Sequence, residues 1–386
     1  MDINDILTHL GEDRSLYFNA VAPPVIQSSN FVFDTIEDMR IAFADELGNH
    51  IYTRGNNPTV AILRQKLAAL EHTEDSLVVG SGAAAVSASV IANVNSGDHI
   101  ICVQKPYSWT FKLISKFLPR FGVTYTFIDG KDIAEIEAAI KPNTKLMYLE
   151  SPNSLTFELQ DLNACSLLAK KNGIVTVIDN SHASPIFQNP ADFGIDIIVH
   201  SATKYINGHS DVVAGVICSN KLMIKKIFES ELMTLGLTIS PHDAALMLRG
   251  LRTLDLRLRR SDLTAGKIAD FLFNHPKVEK LYFPFHPFFD QYDLATKQMT
   301  GCGGLVTIKL KVNDKSDVLR FVRSIKKFLM AVSWGGYESL MIPSIAFHDI
   351  SGIPDSPVHW SMVRLYIGLE SVEYLIDDLS TALDQI

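Results

Sequence analysis

Cysteine and basic residues are both scarce in this sequence. Its 386 residues include only four cysteines, and no two of them form a CxxC pair. This spacing excludes a disulfide framework and a zinc ribbon, and it is typical of a reducing cytoplasm. Lysine and arginine number 35 against 43 aspartates and glutamates, so the net charge is −8. Such a balance disfavours binding to nucleic acid, which needs a basic surface.

Long apolar runs and the motifs of several enzyme classes are also missing. No apolar run reaches the roughly 18 residues of a membrane span, and the first residues do not read as a signal peptide. We therefore expect a cytoplasmic protein with no membrane partner. The 12 histidines show neither an HExxH motif nor ligand spacing, so we expect no metal site. A serine hydrolase is disfavoured because the sequence contains no GxSxG motif.

Apolar strands alternate with helical segments in the larger, N-terminal part of the chain. Strands are predicted at Ser76–Val79, Ile100–Val103, Val123–Ile128, Lys145–Leu149, Ile174–Ile178, Asp196–His200 and Val212–Ser219. Helical segments lie between them, including one at residues 162–172 that Gly173 ends. This alternation predicts βαβ units and a mostly parallel sheet that is covered on both faces.

The pattern changes after about Pro241. A long, arginine-rich helical stretch runs from His242 towards His275. Further strands are predicted at Val278–Phe283, Leu305–Lys311 and Met362–Ile367, with helices at Ser316–Leu329 and from Ser371. This segment reads as a smaller α+β domain. We predict an N-terminal arm over residues 1–55, a large domain over 56–245 and a C-terminal domain over 246–386.

Small and hydroxyl-bearing residues follow two of the predicted strands. Gly80-Ser81-Gly82-Ala83 follows the strand at residue 76, and Ser201-Ala202-Thr203-Lys204 follows the strand at residue 196. In open α/β sheets, ligands bind beyond the carboxyl ends of the strands, so these segments should share one edge. Free N–H groups at Gly82 and Ala83, where a helix opens, together with the hydroxyls of Ser201 and Thr203, could hold a phosphate.

A carboxylate and a lysine are expected at the same edge. Asp179 follows the strand at residue 174, and Lys204 stands beside the hydroxyls. Pyridoxal phosphate (PLP) requires this set: a phosphate cradle, an acid for its protonated pyridine nitrogen and a lysine that forms a Schiff base. Each feature alone is weak, since a glycine turn is common and a loop lysine is normally solvated. Together and in this order, they favour a PLP site.

The stretch Asp196–Val216, DIIVHSATKYINGHSDVVAGV, resembles the lysine motif of the PLP-dependent transsulfuration enzymes of Cys/Met metabolism. Matching motifs extend from Tyr52 to Leu369. The resemblance implies the fold-type I PLP architecture, with a large, mostly parallel sheet and a smaller C-terminal α+β domain. It also implies a homotetramer, a dimer of dimers, in which each active site is shared across a dimer.

The resemblance also assigns roles to residues at the motif positions. Lys204 is the Schiff-base lysine and proton shuttle, and Asp179 is the partner of the pyridine nitrogen. Phosphate binding falls to Gly82, Ala83, Ser201 and Thr203, and to Tyr52 and Arg54 of YTRGNNPT acting on the neighbouring subunit. Tyr107 of KPYSWT stacks on the cofactor ring. Arg364 of MVRLYIGLE clamps the substrate α-carboxylate, and an arginine within an apolar run independently favours a ligand or a buried partner.

The branch of the family is indicated by Ser333–Leu340, SWGGYESL, which resembles bacterial cystathionine β-lyases. The γ-enzymes usually carry a smaller aliphatic residue in place of Trp334, and Asn-Pro in place of Ser154-Leu155. Ser333 and Trp334 are therefore predicted to contact the substrate, although Trp334 also suits a packed aromatic. Other segments are more like the γ-enzymes, including YTRGNNPT and SPIFQNP.

We therefore predict α,β-elimination of L-cystathionine, or of a related cysteine S-conjugate, to homocysteine, pyruvate and ammonia. The alternative within the family is a cystathionine or methionine γ-lyase, a γ-synthase or a sulfhydrylase. A nicotinamide-dependent oxidoreductase is a rival from another class, but Ala85 stands where GxGxxG needs its third glycine. A non-catalytic scaffold with this fold is disfavoured because Lys204, Asp179 and Arg364 are intact.

Overall fold

The chain divides into two units, each built around its own β-sheet. The computed structural model describes residues 1–351, 356 and 358–386. The first unit comprises Met1–Ser151, Gln160–Asn207 and Asp211–Arg252, and the second comprises Pro152–Leu159, Gly208–Ser210 and Thr253–Ile386. The predicted domain boundary near residue 245 thus falls a few residues before the point at which the units divide.

A seven-stranded sheet forms the centre of the first unit. Its strands are β1 (Asp75–Val79), β2 (His99–Val103), β3 (Thr124–Ile128), β4 (Thr144–Glu150), β5 (Val175–Asp179), β6 (Ile197–Ser201) and β7 (Gly215–Ser219). They pair in the order β1-β7-β6-β5-β4-β2-β3, and β7 alone in this sheet runs against its neighbours. The prediction of a large, mostly parallel sheet is confirmed.

The register brings the ends of four strands to one edge of this sheet. Gly215, the first residue of β7, pairs with Val79 of β1 on one side and with Ser201 of β6 on the other. Glu150 of β4 pairs with Asp179 of β5. Because β7 is antiparallel, its beginning lies beside the carboxyl ends of its neighbours. The polar segments that follow β1, β4, β5 and β6 therefore leave the sheet together.

Helices cover the sheet of the first unit. They span Ile3–Thr8, Ile36–Ala44, Pro58–Leu70, Gly82–Ile91, Ser108–Lys112, Ile133–Ala138, Leu162–Lys171, Ser184–Phe187, Lys221–Ile227, Met233–Leu235 and Pro241–Leu251. Side-chain caps begin many of them; Asn57, for example, accepts a hydrogen bond from the Thr59 amide. Helix Ser108–Lys112 continues as a π-helical turn at Leu113–Phe117 and a 3₁₀ turn at Leu118–Phe121, where Pro119 has no amide hydrogen to continue an α-helix.

The core of this unit consists of strand residues that are buried on both faces of the sheet. Ile100, Leu146, Val177, Val199 and Ile217 have no exposed surface. Parallel strands covered by helices on both sides read as continuous apolar runs rather than as alternating patterns. This is why their positions could be predicted from the sequence.

A five-stranded, mostly antiparallel sheet forms the second unit. Its strands are β8 (Val278–Tyr282), β9 (Leu305–Leu310), β10 (Leu329–Met330), β11 (Leu340–Pro343) and β12 (Met362–Tyr366), in the order β10-β11-β12-β9-β8. Its helices are Leu254–Phe273, Tyr292–Gln298, Lys315–Ser324 and Val372–Leu383. The smaller α+β domain is therefore confirmed.

Two predictions for the C-terminal part were wrong in detail. The helix predicted at residues 316–329 ends at Ser324, because the Asp378 carboxylate accepts hydrogen bonds from the amides of Lys326 and Lys327 and draws the chain out of the helix. The long helical stretch predicted from His242 is two helices, Pro241–Leu251 in the first unit and Leu254–Phe273 in the second.

A buried ion pair between Lys66 and Glu12 attaches the N-terminal arm to the rest of the first unit. Lys66 is 1% exposed, and its Nζ lies 3.2 Å from Glu12 Oε1 and donates to the carbonyl of Ile6 at 3.0 Å. Arg14 and Arg252 also pair with Glu12. Burial lowers the pKa of Lys66, and the Glu12 carboxylate opposes this change. One carboxylate therefore compensates three cations.

Replacing Glu12 with glutamine leaves these cations without their common anion. We expect Glu12→Gln to lower the free energy of unfolding by about 3 kcal/mol, as is typical when one partner of a buried ion pair is removed. Urea unfolding followed by tryptophan fluorescence measures the change. Glu137 and Lys171 form an exposed pair at 3.6 Å, so Glu137→Gln is the matched control and should cost less than about 1 kcal/mol. Equal effects of the two variants would contradict the anchoring role.

Candidate cofactor and substrate sites

Two glycines allow a helix to begin in close contact with the ends of the strands. Helix Gly82–Ile91 opens with Ser81 as its N-cap, and the Ser81 hydroxyl accepts a hydrogen bond from the Ala84 amide at 3.0 Å. A Cβ atom on Gly82 would lie 2.7 Å from Ser201 Cβ, and one on Gly215 would lie 2.1 Å from the Ser81 carbonyl oxygen. The amide groups at the start of this helix therefore lie beside Ser201, where an anion can bind.

The segment after β6 carries the predicted hydroxyls and the lysine. Ser201 donates its amide hydrogen to Ser181 Oγ at 2.7 Å, and the Lys204 amide donates to the Ser201 carbonyl at 3.1 Å. The Thr203 hydroxyl accepts from the Ala214 amide at 3.0 Å and donates to the Ala214 carbonyl at 3.3 Å. In the structure, Thr203 thus holds the lysine segment in place, and its contact with phosphate stays a prediction.

Asp179 is a buried carboxylate at the end of β5. Its Oδ1 accepts a hydrogen bond from the Ser181 amide at 2.9 Å. Burial raises the pKa of Asp179, whereas the Ser181 hydrogen bonds and the electrostatic effect of His200 and Lys204 act in the opposite direction. Because burial disfavours the ionised form, a cation beside this carboxylate would stabilise it. A protonated pyridine nitrogen is such a cation.

Tyr107 lies close to two carboxylates, those of Asp179 and Glu150. Its amide donates a hydrogen bond to Glu150 Oε2 at 2.6 Å, which fixes the start of helix Ser108–Lys112 next to the end of β4. Burial raises the pKa of the Tyr107 hydroxyl, and the charges of Asp179 and Glu150 raise it further. The ring is 42% exposed, so it retains a free surface for stacking.

These residues fit PLP. The cofactor needs donors for a phosphate, an anion for a ring nitrogen, an aromatic side chain for the ring face and an amine for its aldehyde. The first unit brings all four together in the helix start at Gly82, Asp179, Tyr107 and Lys204. Among the described residues, no group of three or more histidine, cysteine, aspartate or glutamate side chains could hold a metal ion.

The sequence predictions placed Glu150 at this edge without giving it a role and did not include Ser181, yet both residues position these groups. Glu150 binds the Tyr107 amide, and Ser181 contacts both Asp179 and Ser201. A signal for Glu150 was present, since a glutamate that ends an apolar strand is costly without donors. Ser181 carried no such signal, because a serine in a loop is unremarkable.

The second unit holds the predicted carboxylate clamp. Arg364 lies in β12, where it pairs with Ile342 of β11. Its Nη1 donates to the Ser154 carbonyl at 2.9 Å, and its Nη2 donates to the Ser333 carbonyl at 3.4 Å. These bonds orient the guanidinium without neutralising its charge. Such a group can bind a carboxylate in bidentate fashion.

The loops that hold Arg364 contain strained residues. Ser333 has a φ of 82°, and Phe157, three residues after Ser154, has a φ of 61°. The Asn153 side chain stabilises the second loop by accepting hydrogen bonds from the amides of residues 155, 156 and 157. Strained backbone of this kind often occurs at functional sites. Trp334 follows Ser333 and is buried, with 7% of its surface exposed.

The residues predicted to serve a neighbouring subunit lie on the surface of the first unit. Tyr52 is 45% exposed, and its backbone forms an isolated β-bridge with Asn30. The Arg54 guanidinium lies 5.3 Å from the centre of the Tyr52 ring. This contact orients the two side chains together.

Comparison with known proteins identifies the family. The model for the Cys/Met metabolism PLP-dependent enzymes matches residues 5–384. The chain therefore belongs to this family of PLP-dependent enzymes, and PLP is its cofactor. This finding confirms the resemblance drawn from the lysine motif.

Its relatives include several γ-lyases. The L-methionine gamma-lyase of Treponema denticola is 38% identical over 98% of this chain and 96% of that protein. The cystathionine gamma-lyase of Bacillus subtilis is 34% identical over 99% of each chain. The crystal structure of metB from Corynebacterium glutamicum has a TM-score of 0.92 and 32% identity, covering 100% of this chain and 98% of that one. This similarity confirms the fold-type I architecture.

The close contact at Gly82 generates a prediction. In Gly82→Ala, the new methyl group meets Ser201 and must push the helix start away from β6. We expect PLP to bind at least about tenfold more weakly, and overpacking to cost roughly 1–3 kcal/mol of stability. Fluorescence titration of the apoprotein with PLP measures the affinity.

The matched control is Gly266→Ala, because a Cβ on Gly266 would contact nothing within 4 Å. It should leave PLP affinity unchanged and stabilise helix Leu254–Phe273 by up to about 1 kcal/mol. Tight PLP binding by the Gly82 variant would show that the helix start does not hold the phosphate.

Proposed function

We propose that the protein is a carbon–sulfur lyase that carries out γ-elimination on a homocysteine thioether such as L-methionine. The observation that carries this proposal is the similarity to six L-methionine gamma-lyases, which are 35–38% identical over 96–98% of this chain. It replaces the preference for β-elimination that the SWGGYESL segment suggested.

The residues of the first unit supply binding and proton transfer. PLP, when bound, provides an electron sink for negative charge at the substrate Cα. Asp179 keeps the proton on the ring nitrogen, Tyr107 covers the ring, and the helix start at Gly82 binds the phosphate. The Lys204 amine removes the Cα proton and returns it to the carbon skeleton.

The Tyr107 hydroxyl suits the departure of the thiol. A leaving thiolate needs a proton, and the Tyr107 hydroxyl, which is protonated at neutral pH like any phenol, can donate one. We assign to it the donation of that proton to sulfur. With L-methionine and one water, the products are methanethiol, 2-oxobutanoate and ammonia, so the atoms balance without an oxidant.

We assign the substrate α-carboxylate to Arg364. The Ser154 and Ser333 carbonyls hold its guanidinium, so little side-chain entropy is lost when a carboxylate binds. Replacement by lysine would remove the planar fork that a bidentate contact needs.

A second candidate is β-elimination of L-cystathionine to homocysteine, pyruvate and ammonia. Trp334 and the Ser154-Leu155 pair favour it, because both differ from the usual γ-enzyme residues at these positions. The indole is buried, so it shapes its surroundings as a rigid wall. Its contact with substrate stays a prediction.

A keto-acid assay separates the two reactions. The purified protein with PLP is given L-methionine and L-cystathionine in turn, and the products are resolved chromatographically. We expect 2-oxobutanoate from both substrates. Pyruvate from L-cystathionine, with no product from L-methionine, would reject γ-elimination in favour of the β-reaction.

Lys204→Ala is the control for the chemistry itself. The variant lacks the amine that moves the Cα proton, so its turnover should fall by at least about a thousandfold, in the range expected for loss of an essential acid–base group. Turnover near the wild-type rate would exclude Lys204 as the base.

We further propose that Tyr52 and Arg54 contact the phosphate bound by a neighbouring subunit, within a homotetramer. Their exposure in the first unit supports this role. Complementation tests it: Arg54→Ala and Lys204→Ala proteins are each inactive, but a mixed dimer has one intact site. Unfolding and refolding an equal mixture should restore about a quarter of wild-type activity. No recovery in verified mixed dimers would place Arg54 in its own subunit's site.

A further inference from the structure

A buried glutamate contacts the strand ends that carry the cofactor residues. Glu71 is the C-cap residue of helix Pro58–Leu70, and 1% of its surface is exposed. Its Oε1 accepts a hydrogen bond from Asn180 Nδ2 at 2.8 Å and lies 2.5 Å from His200 Nε2. One carboxylate oxygen therefore joins the residue that follows β5 to a residue of β6.

The residues that Glu71 holds are the chain neighbours of cofactor-binding residues. Asn180 follows Asp179, and His200 precedes Ser201. Successive side chains on extended backbone point to opposite faces. Glu71 thus acts on one face of the two strand ends, while Asp179 and Ser201 occupy the other.

A second side chain, that of Gln188, also holds Asn180 in place. Gln188 Nε2 donates to Asn180 Oδ1 at 2.9 Å and to the Ser151 carbonyl at 2.8 Å. Asn180 is therefore bound at both ends of its amide, and its Nδ2 also donates to the Gln188 carbonyl. This network reaches from β6 through β5 to the residue that follows β4.

Glu71 is poorly explained as a stabilising residue. Its second oxygen, Oε2, is buried and has no hydrogen-bond partner in the described part of the chain. An unsatisfied buried polar atom costs stability, and a well-packed apolar residue of similar volume often stabilises a protein more than a buried ion pair does. A role in placing its neighbours accounts for a carboxylate here.

We infer that Glu71 is a positioning residue for PLP, which sets the places of Asp179 and Ser201 by holding Asn180 and His200 from the opposite face of the sheet. The inference rests on the cofactor and its binding residues, and it is independent of which carbon–sulfur bond is cleaved. Glu71 thereby places both Asp179, which faces the ring nitrogen, and Ser201, which faces the phosphate.

Two substitutions at one position test this role. Glu71→Leu removes the acceptor, and we expect PLP to bind at least about tenfold more weakly, with a changed visible circular-dichroism band of the bound cofactor. Glu71→Gln keeps an oxygen at the Oε1 position, so its PLP affinity should stay within about threefold of the wild type. Fluorescence titration of each apoprotein gives the affinity, and urea unfolding of the apoprotein gives the stability separately.

The matched control is Glu74→Leu, three residues along the chain. Glu74 is exposed and accepts a hydrogen bond from the Lys221 amide, outside the network. Its PLP affinity should equal that of the wild type.

Unchanged PLP affinity in Glu71→Leu would overturn the inference, as would equal weakening in the leucine and glutamine variants. If Glu71→Leu does not fold, Asn180→Ala serves instead, because it removes one of the two groups that Glu71 holds. It should weaken PLP binding severalfold, and wild-type affinity would again reject the role. Pyruvate from L-cystathionine, with no product from L-methionine, would reject γ-elimination but would leave the PLP affinities of these variants, and so the role of Glu71, untouched.

Discussion

A carboxylate buried at the end of a strand constrains the whole first unit. Asp179 is buried, so its ionised form depends on the Ser181 hydrogen bonds, on the electrostatic effect of His200 and Lys204 and, in the role proposed for it, on the protonated nitrogen of PLP. This dependence explains why so many polar side chains converge on one edge of an otherwise apolar sheet. It also links cofactor binding to folding, since the pyridine nitrogen offsets part of the cost of burying the acid.

The direction of the strands makes this convergence possible. Parallel strands end at one edge, which gathers the segments after β4, β5 and β6. The reversed strand β7 adds Gly215 between Val79 and Ser201, where the absence of a side chain admits the Ser81 carbonyl. A side chain at Gly215 or Gly82 would separate the helix start from the strand ends. Backbone contacts thus bring the helix start against the strand ends, while the side-chain network of Glu71 holds the strand ends from the other face.

Much of this arrangement could be predicted from the sequence, for a physical reason. Strands that are almost wholly buried are nearly continuous apolar runs, so β1, β2 and β4–β7 were visible in the sequence, and the polar residues at their ends marked the site. The strand β10 is only two exposed residues long, and the apolar strand β11 is only four residues long, so neither was predicted. The helix before them ends at a contact with Asp378, which is distant in sequence. Glu71 was equally invisible, because its partners lie more than a hundred residues further along the chain. Local patterns reveal what a segment forms, but not which remote side chain holds it.

The choice between β- and γ-elimination also depends on more than a local sequence pattern. Both reactions begin with loss of the Cα proton, so Lys204, Asp179 and Arg364 suit either one. The γ-reaction must move protons further along the substrate and release the thiol one carbon later, which depends on how the distal chain is held. Trp334 is a single local signal for the β-reaction, whereas the similarity to γ-lyases extends over nearly the whole chain. Because positions throughout the fold set the shape of a pocket, the similarity to γ-lyases along the whole chain is stronger evidence than the single residue Trp334.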